Sequence, residues 1–161
     1  MKKIFLGIGS NLGDRLKIID EAKIRIEESI GKIVLCSSVY RTEPWGFESK
    51  NEFLNLALCV KTELTPSGVL GRILMIESQL GRSRNEMKYS SRSIDIDILL
   101  FSNGIVNEDA LKIPHPHMAE RRFVLVPLAE IAPGFIHPVL KKSIKSLLIS
   151  CPDKSSVVVY K

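Results

Sequence analysis

The sequence predicts an α+β fold in which helices cover one face of an antiparallel sheet and the other face stays open for a ligand. Short apolar stretches rich in Ile and Val alternate with two longer stretches whose apolar residues recur at helical spacing. Their order is strand, helix, strand, strand, helix, strand, the split βαβ arrangement of ferredoxin-like folds. No repeat, low-complexity segment or linker-like change of composition interrupts the 161 residues, so a single domain, 1–161, is expected.

The first strand-helix-strand unit is predicted from Lys2 onward. Lys2 to Gly9 is short, apolar and ended by glycine, which favours a strand, and Ser10 to Gly13 follows as a turn. The next helix ends at Gly31, and its apolar stripe is Leu16, Ile19, Ala22, Ile26 and Ile30. The residues able to cap it are Asn11 and Asp14. Ile33 to Thr42 is predicted as the second strand.

The second unit begins after a loop over Pro44 to Lys50. Phe53 to Leu64 is predicted as the third strand. Thr65 is a favourable N-cap and Pro66 a favourable first helical residue. The helix that follows ends at Gly81, and its apolar stripe is Leu70, Ile73, Leu74, Ile76 and Leu80.

The second half of the chain is expected to begin with a polar loop, Arg82 to Arg92. Ile94 to Phe101 is predicted as the fourth strand, and Asn103-Gly104 as a hairpin turn leading into a short strand at Ile105 and Val106. The last predicted elements are a Pro114 to His117 loop, helices near Phe123 to Ile131 and Ser143 to Ile149, and a strand at Ser156 to Tyr160.

Composition narrows the functional classes. An apolar fraction of 45% excludes a disordered chain, and a formal net charge of +5 suits a polyanionic ligand such as a nucleotide or a nucleic acid. Three cysteines at wide spacing fit neither a zinc framework nor a disulfide scaffold, and Cys36 and Cys59 are expected to be buried thiols. No signal peptide or membrane span is recognisable, which favours the cytoplasm.

Two aspartates dominate the functional prediction. In a strand, side chains alternate between faces, so Asp95 and Asp97 project to one side and the flanking isoleucines to the other. The two carboxylates would stand about 7 Å apart along the strand. A cation between them relieves their repulsion, and magnesium prefers such oxygen ligands together with phosphates. The alternative is a solvent-facing strand that carries two hydrated acids.

The basic loop before this strand favours the magnesium interpretation. It carries the four cations Arg82, Arg84, Lys88 and Arg92. Phosphoryl transfer needs charge neutralisation and positioning, which metal ions and arginines supply together. The alternative for this loop is a solvated surface.

Other candidate residues are weaker signals. The glycines between Gly7 and Gly13 resemble a dinucleotide fingerprint with wrong spacing, so a tight turn is the better interpretation. His115 is expected to donate to a phosphate or ribose, and His137 to be structural. Phe53 and Asn55 share one strand face and could receive a flat heterocycle, although spacing alone favours a core ring beside a sheet-edge amide.

Taken together, the residues resemble the hydroxymethyldihydropterin pyrophosphokinase family. The matching segments reach from Gly9 to Pro133 and are GSNLGDR, YRTEPWG, FLNLA, ESQLGRSR, RSIDIDILL, IPHPHM and ERRFVLVPLAEIAP. The resemblance implies a monomeric, magnesium-dependent enzyme of folate biosynthesis that transfers pyrophosphate from ATP to 6-hydroxymethyl-7,8-dihydropterin.

The resemblance also implies roles for individual residues. Asp95 and Asp97 would hold two Mg²⁺ ions and, with Arg82 and Arg92, would be the catalytic residues. The pterin would contact Thr42, Pro44, Trp45, Gly46, Phe53, Asn55 and Phe123. The ATP side would comprise Glu77, Arg82, Arg84, Arg92, Ile98, Lys112, His115 and Arg121. The sequence departs from the family pattern at Lys88-Tyr89 and at Ala110 and Lys112, near the nucleotide.

Two other functions are compatible with a chain of this size and charge, and the sequence disfavours both. A ferredoxin-like sheet can bind RNA through exposed aromatics, but the aromatic strand motif of such modules is absent and two acids would repel a phosphate backbone. A nicotinamide-dependent oxidoreductase needs repeated parallel βαβ units that this order of elements does not offer. We therefore expect ATP and the pterin as partners, and neither nucleic acid nor membrane.

Overall fold

A computed structural model describes residues 1–42, 52–81 and 94–161. Its strands are β1 (Lys2–Ser10), β2 (Gly31–Cys36), β3 (Tyr40–Thr42), β4 (Phe53–Thr62), β5 (Asp95–Phe101), β6 (Val106–Glu108), β7 (Leu111–Ile113) and β8 (Val157–Val159). Its α-helices are α1 (Arg15–Ser29), α2 (Pro66–Gln79), α3 (Arg122–Ile131) and α4 (Ile144–Ile149), and a 3₁₀ turn spans Met118–Glu120. The predicted loops over Pro44 to Lys50 and Arg82 to Arg92 lie outside the described residues.

The main sheet has six antiparallel strands with β4 near its centre. The order is β5-β1-β4-β3-β8, and β2 also pairs with β4 on the side away from β1. The first five strands of the chain and the two helices between them follow the ferredoxin-like plan, which confirms the predicted fold class. β5, the strand with the two aspartates, lies at the edge of the sheet.

We call the face covered by α1 and α2 the near face. Side chains of β1, β4 and β5 such as Ile8, Leu56 and Ile96 pack there against the buried stripes of both helices. Both helices begin as the sequence predicts. Asp14 accepts a hydrogen bond from Lys17 N at 3.3 Å, and Thr65 Oγ1 accepts one from Gly68 N at 3.1 Å. Such caps each contribute about 1 kcal/mol to stability.

The opposite face, here the far face, is open only in part, which differs from the prediction of helices on one face alone. α3 and α4 cover one end of it, where Val124, Leu125, Leu128, Ile144 and Leu147 pack on Phe5, Cys59 and Leu100. The reason is visible in β1 and β4, which carry apolar residues on both faces at that end and are therefore buried on both sides. The other end of the far face is left for the site described below.

The second predicted strand is two strands. Ile33 to Thr42 divides into β2 and β3 because the serines at 37 and 38 make side-chain and backbone bonds outside a regular ladder. Ser37 Oγ accepts from Ala57 N at 2.9 Å and donates to Ser38 O at 2.8 Å. Ser38 N donates to Glu130 Oε2 at 2.9 Å.

The predicted hairpin at Asn103-Gly104 is wrong. The chain turns there, with a Gly104 N to Phe101 O bond of 2.9 Å and a positive φ of 48° at Ser102, but the next strand does not pair with β5. Instead, β6 pairs with β7 in a separate two-stranded sheet. The turn itself is where the sequence predicts it. The pairing partner of β6 is β7, the segment in which the chain returns, and not β5.

The described cysteines follow the prediction only in part. Cys59 is buried in the far-face core, whereas Cys36 is exposed at the end of β2. Among the helices of the described residues, none has the length and apolar character required to cross a bilayer.

Candidate active site

The two aspartates of β5 project from the far face, as the alternation of the strand predicts. Ile94, Ile96 and Ile98 enter the near-face core, while Asp95 and Asp97 line a cavity on the opposite side. The Cα atoms of two such residues lie about 7 Å apart. Metal binding by both carboxylates requires that they share one face beside an open space, and this arrangement is present.

Glycines of β1 form the base of this cavity. Gly9 pairs with Asp95 on one side and with Asn55 on the other, and Gly7 pairs with Asp97 and Ala57. Because neither glycine carries a side chain, the space between the aspartates and the Asn55 carboxamide stays clear. Both glycines lie within β1, as the predicted strand from Lys2 to Gly9 requires, and Gly13 with its positive φ lies in the turn that follows.

The polar wall of the cavity comes from β3 and β4. Thr42 pairs with Phe53 across these strands, so both project to the far face together with Asn55. Asn55, only 6% exposed, donates from Nδ2 to Thr42 Oγ1 at 2.6 Å. This bond orients the carboxamide, which presents both an acceptor and a donor to any ligand beside it.

Two aromatic rings line the cavity together with this polar wall. Phe53 comes from β4, and Phe123 comes from the first turn of α3. Both rings line the same cavity of about 570 Å³, which also contains Asp95, Asp97 and Asn55. A cavity of this size and mixed lining suits a flat heterocycle held next to a charged group.

Glu77 joins the site from α2 across the edge of the sheet. It is only 4% exposed, and its Oε2 accepts a hydrogen bond from Ile96 N at 2.8 Å. An edge strand has no neighbouring strand to accept from that N–H group, so the carboxylate takes the place of a ladder partner. Glu77 thereby fixes the backbone between Asp95 and Asp97.

A second cavity of about 270 Å³ adjoins the first along the outer side of β5. Ile98, Leu111 and Ala110 give it an apolar lining, and Lys112 and His115 border both cavities. Lys112 Nζ donates to Asn107 Oδ1 at 2.9 Å. The two cavities together form an elongated depression with the aspartate strand in its middle.

His115 is held in a defined orientation. Its Nδ1 accepts a hydrogen bond from His117 N at 3.1 Å, and its own backbone N donates to Leu99 O at 2.9 Å. The neutral imidazole therefore carries its proton on Nε2, which makes that nitrogen a hydrogen-bond donor. This agrees with the expected role of His115 as a donor to an anionic or hydroxyl group.

Arg121 and Phe123 flank the start of α3. Arg121 is 7% exposed, and its Cζ atom lies 5.9 Å from the centre of the Phe123 ring. Arg121 lines the same cavity as Asp95 and Asp97, and a guanidinium there is suited to meet a phosphate.

The structure thus brings together eleven of the predicted site residues around two adjoining cavities. Ile98 lines the smaller cavity, and the ten that line the larger one are Thr42, Phe53, Asn55, Glu77, Asp95, Asp97, Lys112, His115, Arg121 and Phe123. Pro44, Trp45, Gly46, Arg82, Arg84 and Arg92 lie outside the described residues. Gly7 and Gly9 are the lining residues that sequence reasoning missed. Their spacing of two within a strand is the signal that could have indicated a shared face.

The donor set suits magnesium better than zinc. In the three described segments of the chain, no cluster of three or more His, Cys, Asp or Glu side chains is arranged to hold a metal ion. A pair of carboxylates beside a cavity matches magnesium, which binds through one or two carboxylates and completes its shell with substrate phosphates and water.

Comparison with known proteins points to one family. The family model described as 7,8-dihydro-6-hydroxymethylpterin-pyrophosphokinase matches residues 5–133. The 2-amino-4-hydroxy-6-hydroxymethyldihydropteridine pyrophosphokinase of Aquifex aeolicus is 41% identical over 145 residues, covering 90% of this chain and 89% of the relative. The enzyme of the same name from Methylorubrum extorquens is 44% identical over 137 residues, covering 84% and 86%.

Solved structures agree on the fold. The wild-type HPPK-DHPS protein of Plasmodium falciparum superposes with a TM-score of 0.74 at 19% identity, covering 92% of this chain. The chain spans 44% of the length of that protein. At this level of identity the superposition supports the architecture of β1 to β5, α1 and α2.

Proposed function

The chain belongs to the 7,8-dihydro-6-hydroxymethylpterin-pyrophosphokinase family, and we propose from this premise how its described residues divide the work of the reaction. The enzyme transfers pyrophosphate from ATP to 6-hydroxymethyl-7,8-dihydropterin in folate synthesis. The pterin hydroxymethyl oxygen forms a bond to the β-phosphorus of ATP, the bond from that phosphorus to the oxygen bridging to the α-phosphorus breaks, and AMP leaves.

One observation carries the assignment of the site. A single cavity is lined by two aspartates of one strand face and by a carboxamide together with two phenylalanines. The first part fits a metal-bound polyphosphate and the second fits a flat heterocycle with an amide edge. The reaction requires these two groups to meet.

The pterin site comprises Thr42, Phe53, Asn55 and Phe123. The heterocycle stacks between the two rings, since offset aromatic contacts favour such a sandwich. The Asn55 carboxamide, oriented by its bond to Thr42, pairs with the amide edge of the ring. Pro44, Trp45 and Gly46, outside the described residues, complete this site in the proposal.

The ATP site extends along the outer side of β5. Ile98 and Lys112 border the smaller cavity, where a nucleoside fits, and His115 and Arg121 border the larger one, where phosphates approach Asp95 and Asp97. Glu77 keeps the strand between these regions in place. Arg82, Arg84 and Arg92, outside the described residues, add positive charge in the proposal, and Arg82 and Arg92 stabilise the transferred group.

Asp95 and Asp97 would hold two Mg²⁺ ions together with the ATP phosphates. When bound, these ions neutralise charge on the attacking and leaving oxygens. The protein itself orients both substrates: the Phe53 and Phe123 rings fix the plane of the pterin, and Nε2 of His115 donates to a phosphate oxygen. Catalysis then depends on positioning and charge stabilisation, as in other phosphoryl transfers.

The nucleic-acid-binding alternative is not adopted. Family membership supports the enzyme, and α3 and α4 occupy part of the sheet face on which an RNA-binding sheet would stack bases. Monomeric state, cytoplasmic location and the lack of nucleic-acid or membrane partners remain predictions.

The decisive experiment combines the protein with ATP, MgCl₂ and 6-hydroxymethyl-7,8-dihydropterin and measures AMP and pterin diphosphate by chromatography. We expect both products in equal amounts. A matched reaction with 6-methyl-7,8-dihydropterin, which lacks the attacking hydroxyl, should give neither. Release of ADP or of AMP independent of the pterin alcohol would contradict the proposal.

A further inference from the structure

α3 carries Phe123 of the pterin site at one end and the carboxylate of Glu130, an exposed residue bonded to the sheet, at the other. Phe123 and Glu130 are seven residues apart, so they lie on nearly the same side of the helix and about 10 Å apart along its axis. The side that presents Phe123 to the cavity therefore presents Glu130 to the sheet farther along.

Glu130 binds β3 and the segment before it with both oxygens. Oε1 accepts from Tyr40 Oη at 2.5 Å, and Oε2 accepts from Ser38 N at 2.9 Å and from Ser38 Oγ at 3.3 Å. Burial and the bond to Glu130 raise the pKa of Tyr40 to about 12. Burial acts to raise the pKa of Glu130, but the hydrogen bonds from Tyr40 and Ser38 outweigh it and leave that pKa lowered. At neutral pH the pair is thus a phenol donating to a carboxylate, a strong charge-assisted bond.

Tyr40 belongs to the strand that builds the polar wall of the pterin site. It lies directly opposite Asn55 in the β3–β4 pairing, and Thr42, two residues on, accepts from the Asn55 amide. Tyr40 is 9% exposed, so its ring is packed as well as bonded. The Tyr40–Glu130 bond therefore joins the helix that carries Phe123 to the strand pair that carries Phe53 and Asn55.

The other end of α3 is fixed by a different residue. Asp153 Oδ2 accepts from Arg122 N, the first N–H group of the helix, at 3.0 Å. This bond fixes where α3 begins, next to Phe123. The bond at Glu130 attaches the other end of the helix to Tyr40 of β3, in addition to the packing of Val124, Leu125 and Leu128 on the sheet.

We propose that Tyr40 and Glu130 are positioning residues for the pterin substrate, because their hydrogen bond sets the gap between the Phe123 ring and the Phe53–Asn55 surface. The inference rests on the proposed function and deepens its pterin half. A ring stacked between two aromatics loses contact when the gap widens by a fraction of an ångström. Most of the ATP side lies on β5, α2, β7 and the loop of His115, away from this bond, and Arg121 lies at the end of α3 that Asp153 anchors.

The test compares four proteins with the wild type: Tyr40→Phe, Glu130→Gln, the double variant and Tyr160→Phe. Tyr40→Phe removes only the donor. Glu130→Gln keeps an acceptor for Tyr40 but turns an amide donor toward Ser38 N. Tyr160→Phe is the matched control, since within the described residues the Tyr160 hydroxyl makes no hydrogen bond. For each, kcat and the KM values for pterin and for ATP are measured well below the thermal unfolding temperature.

We expect the pterin KM to rise about tenfold in Tyr40→Phe and in Glu130→Gln, in keeping with the loss of one hydrogen bond to a charged group. The ATP KM should stay within twofold of the wild-type value. The pterin KM of the double variant should not exceed that of the more impaired single variant, because the two side chains act as one unit. Tyr160→Phe should match the wild type.

Three results would overturn the inference. They are an unchanged pterin KM despite a lowered unfolding temperature, an equal rise in both KM values, and additive effects in the double variant. If the wild-type protein itself forms no pterin diphosphate, the proposed function fails first and the positioning role fails with it. The wild-type assay therefore separates the two failures.

Discussion

Gly9 lies directly opposite Asn55 in the sheet, and a Cβ atom at position 9 would stand 2.7 Å from Asn55 Oδ1. Such a distance is far shorter than a normal carbon–oxygen contact, so the carboxamide occupies space that only a glycine leaves. The same amide donates to Thr42 on its other side. Its position in the pterin site is therefore determined by both neighbouring strands.

Gly9→Ala should damage pterin binding more than stability. The methyl group must displace the Asn55 carboxamide, and we expect a pterin KM raised about tenfold, equal to roughly 1.4 kcal/mol. Gly71→Ala is the matched control, because a Cβ atom at that helical position meets nothing within 4 Å. It should leave the kinetics unchanged and raise the free energy of unfolding by about 0.5–1 kcal/mol. Steady-state kinetics and urea unfolding test both, and an unaltered pterin KM in Gly9→Ala would contradict the assigned contact.

Asp97→Asn should nearly abolish turnover while leaving the fold intact. The change keeps the size of the side chain but removes one metal-binding charge, and metal ions supply several kcal/mol of transition-state stabilisation. We expect kcat to fall about 10³-fold and the Mg²⁺ concentration at half-maximal rate to rise. Asp20→Asn, an exposed acid on α1, serves as control. Activity within tenfold of wild type in Asp97→Asn would rule out the metal role.

Glu77→Ala should destabilise the protein and misplace the aspartate strand. It leaves the buried Ile96 N–H group without its acceptor, at a cost of about 1–3 kcal/mol. Glu77→Gln keeps an acceptor oxygen and should lose less stability. Gln79→Ala removes an exposed hydrogen bond from Arg25 and should change the unfolding free energy by under about 0.5 kcal/mol. Chemical denaturation of the three variants tests this order of unfolding free energies. An equal loss of unfolding free energy in Glu77→Ala and Gln79→Ala would contradict it.

His137 predicts a pH dependence of stability. Burial lowers the pKa of His137 below its ordinary value of 6.5, and its Nδ1 accepts from Val139 N and Leu140 N. The unfolded chain then binds the proton more readily than the folded protein. The contribution of His137 to the free energy of unfolding is therefore fully present above pH 6.5. It declines as the pH falls through the folded-state pKa. His137→Asn retains an acceptor and should flatten the unfolding free energy, measured by urea unfolding, between pH 5 and 7, and an unchanged pH profile in this variant would contradict the assignment.

Some features were accessible from the sequence because they depend on local periodicity. The alternation with isoleucines predicts that Asp95 and Asp97 share one strand face, and Thr65-Pro66 predicts where α2 begins. Both follow from residues adjacent in the chain. Glu77 was proposed only from family resemblance, since its bond to Ile96 depends on β5 lying at the edge of the sheet.

Other features depend on contacts between distant segments and could not be predicted in this way. The far-face position of α3 and α4 follows from how their apolar stripes meet Phe5 and Cys59. The same holds for Gly9, whose role requires the register with Asn55, and for Glu130, which meets Tyr40 across 90 positions of sequence. Periodicity within one element carries no information on these registers.

The pairing of β8 with β3 places residues Val157–Val159 beside Tyr40–Thr42, nearly 120 positions earlier in the chain. Contacts of such long sequence separation form late in folding, because the loop they close is costly in entropy. A nascent chain still lacking β8 can complete β1, β4 and β5 but leaves the strand of Thr42 with a bare edge. Completion of the strand that carries Thr42 in the pterin half therefore depends on β8, whereas β5 in the nucleotide half does not pair with β8.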